Sequence, residues 1–229
     1  GLRRIVWDLR YPALDPVDSA DSGNAATGPS STFALPGDYK VSLALWANGV
    51  LKPLAGPVPF KAKALTNVTL PAPDRTELVA FQKKVRGLAH AVNAAGAVVR
   101  DLRKRAGLYR AALKGVSAPT AEIFAAVKAL ESRTDEIGRM LNGDRIKDRA
   151  DKDDQPGLSE RVNTIVGEQW TSTSAPTKSQ RDNYAIVTEA FAGVRQALQK
   201  LLAEDVAAIE RMLDAAGAPY TPGRLPDWK

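Results

Sequence analysis

The pattern of apolar and polar residues changes near Asp74. Before that point apolar and polar residues alternate, and Pro, Gly, Ser and Asn interrupt them, which is typical of short β-strands. After it, apolar residues recur at steps of three and four and fall on one stripe of a helix, as in a bundle or a coiled coil. In the first helix these residues are Leu78, Phe81, Val85, Leu88, Val92, Ala95, Val99, Leu102, Ala106, Tyr109 and Leu113. The sequence therefore predicts a β module followed by a long-helix module.

The β module is predicted to contain four or five strands. Asn48-Gly49 marks a hairpin between two of them, because a type I′ turn needs positive φ at both central residues. An immunoglobulin-type sandwich takes about 100 residues. We therefore predict that residues 1–71 form an antiparallel, immunoglobulin- or fibronectin-like β-sandwich that is either small or begins with strands upstream of Gly1. The clearest alternating segments are residues 2–10, 39–47, 50–54 and 58–64.

Residues 74–229 predict an antiparallel bundle of three to four helices with a Pro-rich tail, so the fold class is α+β. Asp74 with Glu77, and Thr177 with Gln180, have the spacing of a capping box, which marks the beginning of the first and last helices. An exposed apolar stripe would demand a second chain, whereas four helices of one chain would cover it internally. Periodicity alone leaves both possibilities open.

Two details of the helices are also predicted from the pattern. In the last helix the apolar stripe continues from Leu198 through Leu202 to Ile209. The first helix contains three glycines, each of which weakens a helix by up to about 1 kcal/mol relative to alanine. We expect close packing or a bend at these glycines, which are Gly87, Gly96 and Gly107.

Composition excludes several kinds of site. The chain has no cysteine and one histidine, His90, which excludes disulfides, thiolate ligands and a histidine-rich metal centre. No nucleophile-elbow, phosphate-loop or dinucleotide-binding motif is present. No apolar run approaches the roughly 20 residues that span a bilayer. We therefore expect no enzymatic activity, no catalytic residue, no cofactor and no membrane span.

Charge is concentrated on the first helix. The net charge is +6, and residues 75–114 alone hold ten basic and two acidic residues. Such a stripe is compatible with nucleic-acid binding or with a solvated face opposed by acidic residues of neighbouring helices. We favour the solvated face, because neither interleaved aromatic residues nor a known binding motif accompanies the charge.

Two further groups of residues are candidate sites. An aspartate-rich segment over residues 144–154 resembles a calcium loop, but from Asp151 the sixth and twelfth positions are Pro156 and Val162 instead of Gly and Glu. We therefore expect no metal there. Trp7 and Trp46 are candidates for a sugar-stacking platform, although such residues also serve in cores and interfaces.

Four stretches of the chain resemble one family of proteins. They are GLRRIVWDLRY at residues 1–11, LPGDYKV at 35–41, VPFKAK at 58–63 and GAPYTPGRLPDW at 217–228. Together they are similar to the C-terminal region of large exported bacterial proteins that begin with sortilin-like, BNR-repeat β-propellers and are often labelled glycosyl hydrolases. The resemblance implies a periplasmic or extracellular location and an upstream β-propeller, and it carries over no catalytic residue.

These observations lead to one expected function and one alternative. We expect a non-catalytic accessory or interaction module of a larger exported β-propeller protein, which supports the propeller or binds another protein or a glycan. The alternative is a carbohydrate-binding module of a glycoside-hydrolase-like protein, with Trp7 or Trp46 as its platform. Nucleic acid is not expected as a partner.

Overall fold

The computed structural model describes residues 4, 6–11, 32–65, 70–144, 147 and 155–224. A two-stranded antiparallel sheet precedes a set of packed helices. The elements are β1 (Gly37–Ala47), β2 (Val50–Ala62), α1 (Arg75–Leu113), α2 (Ala121–Asn142), α3 (Leu158–Gln169), α4 (Lys178–Lys200), a π-helical turn (Leu201–Asp205) and α5 (Val206–Ala215).

The predicted β-sandwich is wrong, and so are its immunoglobulin- and fibronectin-like assignments. Within the described part of the chain only β1 and β2 pair along their length, and the segment around Arg10 adds a single bridge to Phe33. The predicted strands at residues 50–54 and 58–64 are one strand, β2. Alternation indicates that one face of a strand is apolar, but it does not show that a second sheet covers that face.

Two register shifts allow strand β2 to continue past its prolines. The pairing moves between Val41 and Leu43 and again between Leu43 and Ala44, where β2 holds extra residues. Gly56 lies in the first of these bulges with φ of 98°, and a Cβ there would approach the carbonyl oxygen of Val41 to 2.6 Å. Only glycine fits this position, and the bulge lets the strand continue where the sequence predicted an interruption.

Several local predictions are confirmed. Asn48 and Gly49 have φ of 53° and 77°, as a type I′ hairpin turn requires. The Asp74 side chain accepts hydrogen bonds from the backbone N–H groups of Thr76 and Glu77 at the beginning of α1. The N-cap is thus confirmed, but the predicted capping box is only half formed, because the Glu77 carboxylate accepts from Arg181. At α4 the Thr177 and Gln180 side chains form the complete capping box.

Helix α1 is the central element of the helical part. It has 39 residues and is therefore about 58 Å long at 1.5 Å per residue. Its predicted stripe is buried against α2, α3 and α4 of the same chain, with only Leu88 of the stripe partly buried. The stripe is therefore covered within one chain, which answers the question that periodicity left open.

The last helical stretch differs from its predicted stripe at one turn. Leu201 is buried, whereas Leu202 is 40% exposed. The reason is the π-helical turn, which makes the step from Leu201 to the next buried residue, Val206, five positions instead of three or four. Below that turn the stripe resumes at Ile209.

The expectation of close packing at the glycines of α1 is not met. A Cβ added at Gly87 or Gly107 would have no atom within 4 Å, and at Gly96 it would meet only the end of the Arg100 side chain at 3.7 Å. Close packing occurs instead at Gly157, where a Cβ would lie 2.5 Å from the backbone nitrogen of Gly143. That contact brings together the residue after α2 and the residue before α3.

Among the described residues, at least three hydrogen bonds join the β part to the helical part. The Arg10 guanidinium donates to the carbonyl oxygen of Trp170 at 2.8 Å. The Ala72 N–H donates to the carbonyl oxygen of Thr173 at 2.9 Å, and the Ser174 hydroxyl donates to the carbonyl oxygen of Leu70 at 2.6 Å. All three involve the segment between α3 and α4, which therefore holds the β part against the beginning of α1.

Candidate functional site: the exposed face and edge of the hairpin

One face of the hairpin is apolar and largely uncovered. Side chains alternate between the two faces along a strand, so Val41, Leu43, Leu45 and Ala47 of β1 lie on one face. Directly paired residues of an antiparallel sheet share a face, so Val58, opposite Val41, and Val50, opposite Ala47, lie on this face too. Five large aliphatic side chains on this side are between 47% and 66% exposed. We call them the apolar face: Val41, Leu43, Leu45, Val50 and Val58.

An aromatic cluster covers the same face at the base of the hairpin. The Trp7 ring lies edge-on to Tyr39 at 5.5 Å and to Phe60 at 6.0 Å between centroids, and Tyr39 stacks on Phe60 at 5.7 Å. The indole N–H of Trp7 donates to the carbonyl oxygen of Arg10. The pKa of Tyr39 is raised, chiefly because its hydroxyl is desolvated and secondly because of the charge and hydrogen bond of the neighbouring Tyr11. The cluster shields the base and leaves the apolar face beyond it uncovered.

The structure does not bring Trp7 and Trp46 together. Trp46 pairs with Leu51 beside the turn, on the face opposite to Tyr39, and is 73% exposed. Trp7 contacts Tyr39, which precedes Trp46 by seven residues, or roughly 23 Å of strand at 3.3 Å per residue. The two tryptophans therefore lie at opposite ends and on opposite faces of the hairpin and cannot form one platform.

The two outer edges of the hairpin differ in hydrogen-bonding capacity. Strand β2 contains Pro53, Pro57 and Pro59, which have no N–H group, whereas β1 contains no proline. Proline is accommodated in a strand where the N–H would point away from the neighbouring strand. The residues of β1 opposite Pro59 and Pro53 are Lys40 and Ala44, so these two direct their own N–H and C=O groups to the open side of β1.

Within the described part of the chain, the outer edge of β1 has no strand paired to it. Among the described residues, none outside β2 makes a backbone hydrogen bond to Gly37–Ala47. The distribution of prolines is a sequence signal that could have predicted this difference between the edges. The predicted sandwich obscured that signal, because it placed both strands inside a larger sheet.

The other candidate chemistries are not supported by the geometry of the described residues. No group of three or more His, Asp or Glu side chains among them is arranged to hold a metal ion, and His90 is exposed on α1. Asp148, Asp151, Asp153 and Asp154 lie outside the described residues. In the parts of the chain that the structure describes, no helix combines the length and apolarity needed to cross a membrane.

The basic residues of α1 are partly opposed by carboxylates. Among the described residues, at least three arginines of α1 form ion pairs, two of them with α2, which agrees with the preferred interpretation of a solvated, charge-balanced face. These pairs are Arg103 with Asp135 at 2.9 Å, Arg105 with Asp101 at 2.8 Å and Arg110 with Glu131 at 3.5 Å.

Comparison with known proteins adds no assignment. The chain matches no family model, no curated protein and no solved structure. The resemblance to exported propeller proteins therefore stays a prediction, and the functional argument depends on the exposed face and the unpaired edge of the hairpin.

Proposed function

We propose that this chain is a non-catalytic interaction module of a larger exported protein, and that its hairpin binds an extended strand of a protein partner. The observation that carries the proposal is the apolar face lying beside the proline-free outer edge of β1. The upstream β-propeller implied by the sequence resemblance is the partner we test first, because a propeller is built of strands.

Strand addition fits both features of the hairpin. The partner strand would receive main-chain hydrogen bonds from the outward groups of residues such as Lys40 and Ala44, which supply affinity. Its alternate side chains would extend the apolar face beside Leu43 and Leu45, and the rest of the partner would cover that face. Burial of apolar surface contributes about 25 cal/mol per Å².

The isolated hairpin also gains from a partner. A two-stranded hairpin is marginally stable in water, and independent stability requires three or more strands or packing against another layer. Among the described residues, only the base of this hairpin is packed, through Trp7, Tyr39 and Phe60. A strand added to β1 would supply the third strand, so binding and ordering of the distal hairpin are expected to be coupled.

The test uses proline substitutions on the two edges. Ala44→Pro removes an outward N–H from β1 and should abolish strand addition, whereas the matched control Lys61→Pro places the same change on the outer edge of β2, which already holds prolines. Each variant of the full chain is titrated by calorimetry with the separately expressed upstream propeller segment. We expect the dissociation constant to rise at least tenfold, equivalent to about 1.4 kcal/mol, for Ala44→Pro alone.

A second pair of variants tests the apolar face. Leu43→Asp places a charge on it, and Leu51→Asp makes the same substitution at an exposed position on the opposite face. We expect the first to abolish association and the second to retain it. The proposal is overturned if the unmodified chain does not associate with the propeller segment, or if Ala44→Pro and Leu43→Asp both bind as the unmodified chain does.

The alternative function is carbohydrate binding, and the exposure of Trp46 is the observation that favours it. Aromatic rings that stack on sugars must present one face to solvent. Quenching of tryptophan fluorescence by a panel of glycans, lost in Trp46→Ala and kept in Trp7→Ala, would support this alternative over the protein partner.

A further inference from the structure

A cavity of about 270 Å³ lies where the hairpin meets the helices, away from the apolar face and the β1 edge. We call it the junction cavity. Its walls come from the two segments that the bridge between Arg10 and Phe33 joins, the residues that follow β2, the first turns of α1 and the loop between α3 and α4. Most of its lining is apolar, and it includes Leu9, Phe33, Leu65, Leu78 and Val79.

The charged residues among the described lining of the junction cavity are all basic. They are Lys63 and Arg75, and no aspartate or glutamate of the described residues lines it. Among the described residues neither cation forms an ion pair or a side-chain hydrogen bond. The two carboxylates nearest in sequence to Arg75 have other partners, because Asp74 caps α1 and Glu77 accepts from Arg181 at 2.8 Å. The cavity therefore combines an apolar interior with two positive charges.

A buried amide supplies a polar group on the wall. Gln82 is 5% exposed, and its Nε2 donates to the carbonyl oxygen and to Oε1 of Gln169 at 3.2 and 3.3 Å. The Gln169 amide in turn donates to Gln180 at 2.7 Å, which holds the orientation of the Gln82 amide. No described residue donates a hydrogen bond to Oε1 of Gln82, which remains an acceptor without a donor on the cavity wall.

We propose that the junction cavity binds a medium-chain organic acid that carries a hydroxyl group near the far end of its chain. The carboxylate pairs with Lys63 and Arg75, the aliphatic chain fills the apolar interior, and the hydroxyl donates to Gln82 Oε1. A volume of 270 Å³ accommodates about nine groups the size of a water molecule, at ~30 Å³ each.

The spacing along α1 guides the choice of ligand length. Arg75 and Gln82 are two turns apart on α1, or about 10 Å along the helix at 1.5 Å per residue. A carboxylate and a hydroxyl at the two ends of a ten-carbon chain are separated by a comparable distance. The arrangement agrees with the general form of small-molecule sites, which are apolar and concave with a few placed polar groups.

Three probes separate the parts of this proposal. Calorimetric titrations of the full chain would use 10-hydroxydecanoate, decanoate and 1-decanol, each below its aggregation limit. We expect 10-hydroxydecanoate to bind more tightly than decanoate, and decanoate to bind about tenfold more tightly than 1-decanol, since hydrogen bonds to charged groups exceed neutral ones. Absence of binding by all three probes up to their solubility limits overturns the proposal.

Variants then assign binding to the cavity. Val79→Trp fills the cavity and should abolish binding, and Phe124→Trp makes a similar change at an exposed position of α2 as its control. Lys63 and Arg75 lie at exposed positions, so replacing both with alanine does not risk the fold. This double change should weaken the binding of decanoate at least tenfold and leave the binding of 1-decanol unchanged. Lys83→Ala is the control for removal of an exposed cation from α1.

Gln82→Leu tests the far end of the ligand. It should remove the preference for 10-hydroxydecanoate over decanoate without loss of decanoate binding. Binding that survives both Val79→Trp and the double substitution, in variants whose circular dichroism matches that of the unmodified chain, would place the ligand elsewhere and overturn the assignment.

Discussion

The Tyr109 hydroxyl of α1 donates a hydrogen bond to a carboxylate oxygen of Glu210 in α5 at 2.5 Å, across 101 positions of sequence. Tyr109 is 1% exposed. The pKa of Tyr109 is raised above its ordinary value of 10.0. Burial is the largest cause, and the hydrogen bond to Glu210 and the charge of that carboxylate add to it. The first long helix and the last are thus joined through a buried phenol that resists ionisation.

This hydrogen bond predicts a loss of stability in alkali. Above pH 10 the unfolded chain releases the Tyr109 proton while the folded chain keeps it, so the free energy of unfolding falls as pH rises. At neutral pH the contribution is fully present, and Tyr109→Phe should cost roughly 1–2 kcal/mol. Urea unfolding from pH 8 to pH 11 measures this, with a steeper alkaline loss expected in the unmodified chain than in Tyr109→Phe. Parallel profiles would contradict the assignment.

Gly87→Ala and Gly107→Ala are predicted to stabilise the protein. Both glycines lie inside α1, and no atom lies within 4 Å of the position that a Cβ would take, so alanine removes the entropic cost of glycine without a clash. Each change should raise the free energy of unfolding by about 0.5–1 kcal/mol, measured by urea denaturation. Gly157→Ala is the opposite control, because its Cβ would lie 2.5 Å from a backbone nitrogen, and it should destabilise.

Gln169→Ala should destabilise the protein more than the removal of an exposed polar side chain does. Gln169 is 2% exposed and connects Gln82 with Gln180, so its removal leaves buried amide groups without partners. The expected loss is about 1–3 kcal/mol in the free energy of unfolding. Gln196→Ala, at an exposed position of α4, is the matched control and should change stability by less than about 0.5 kcal/mol. Equal effects of the two changes would show that the amide network contributes little.

The segment after α5 is predicted to depend on Arg224. This residue is 6% exposed, and its guanidinium donates from two nitrogens to Asp214 at 2.6 and 3.1 Å. Arg224→Ala should increase amide hydrogen exchange in residues 216–224, and Arg224→Lys should restore protection incompletely because an ammonium cannot reproduce the fork of donors. Loss of the exposed pair between Lys178 and Asp182 should change stability by less than about 0.5 kcal/mol.

Local sequence was sufficient to specify the ends of elements. The hairpin turn at Asn48-Gly49, the N-cap at Asp74 and the capping box at Thr177 were all predicted at the correct residues. Each depends on backbone dihedral preferences and hydrogen bonds among residues within four positions of one another. The apolar stripe of α1 was predictable for the same reason, since its period is a property of the helix itself.

Packing set the features that a periodic pattern does not contain. The alternation of β1 and β2 predicted a sandwich, but whether another layer covers an apolar face depends on the rest of the chain, and here Leu43 and Leu45 stay exposed. The π-helical turn moved burial from Leu202 to Leu201 because the stripe must meet its neighbours on both sides of the turn. The junction cavity, with Gln82 on its wall, forms only when segments far apart in sequence meet, and burial of surface between such segments is a property of the whole fold.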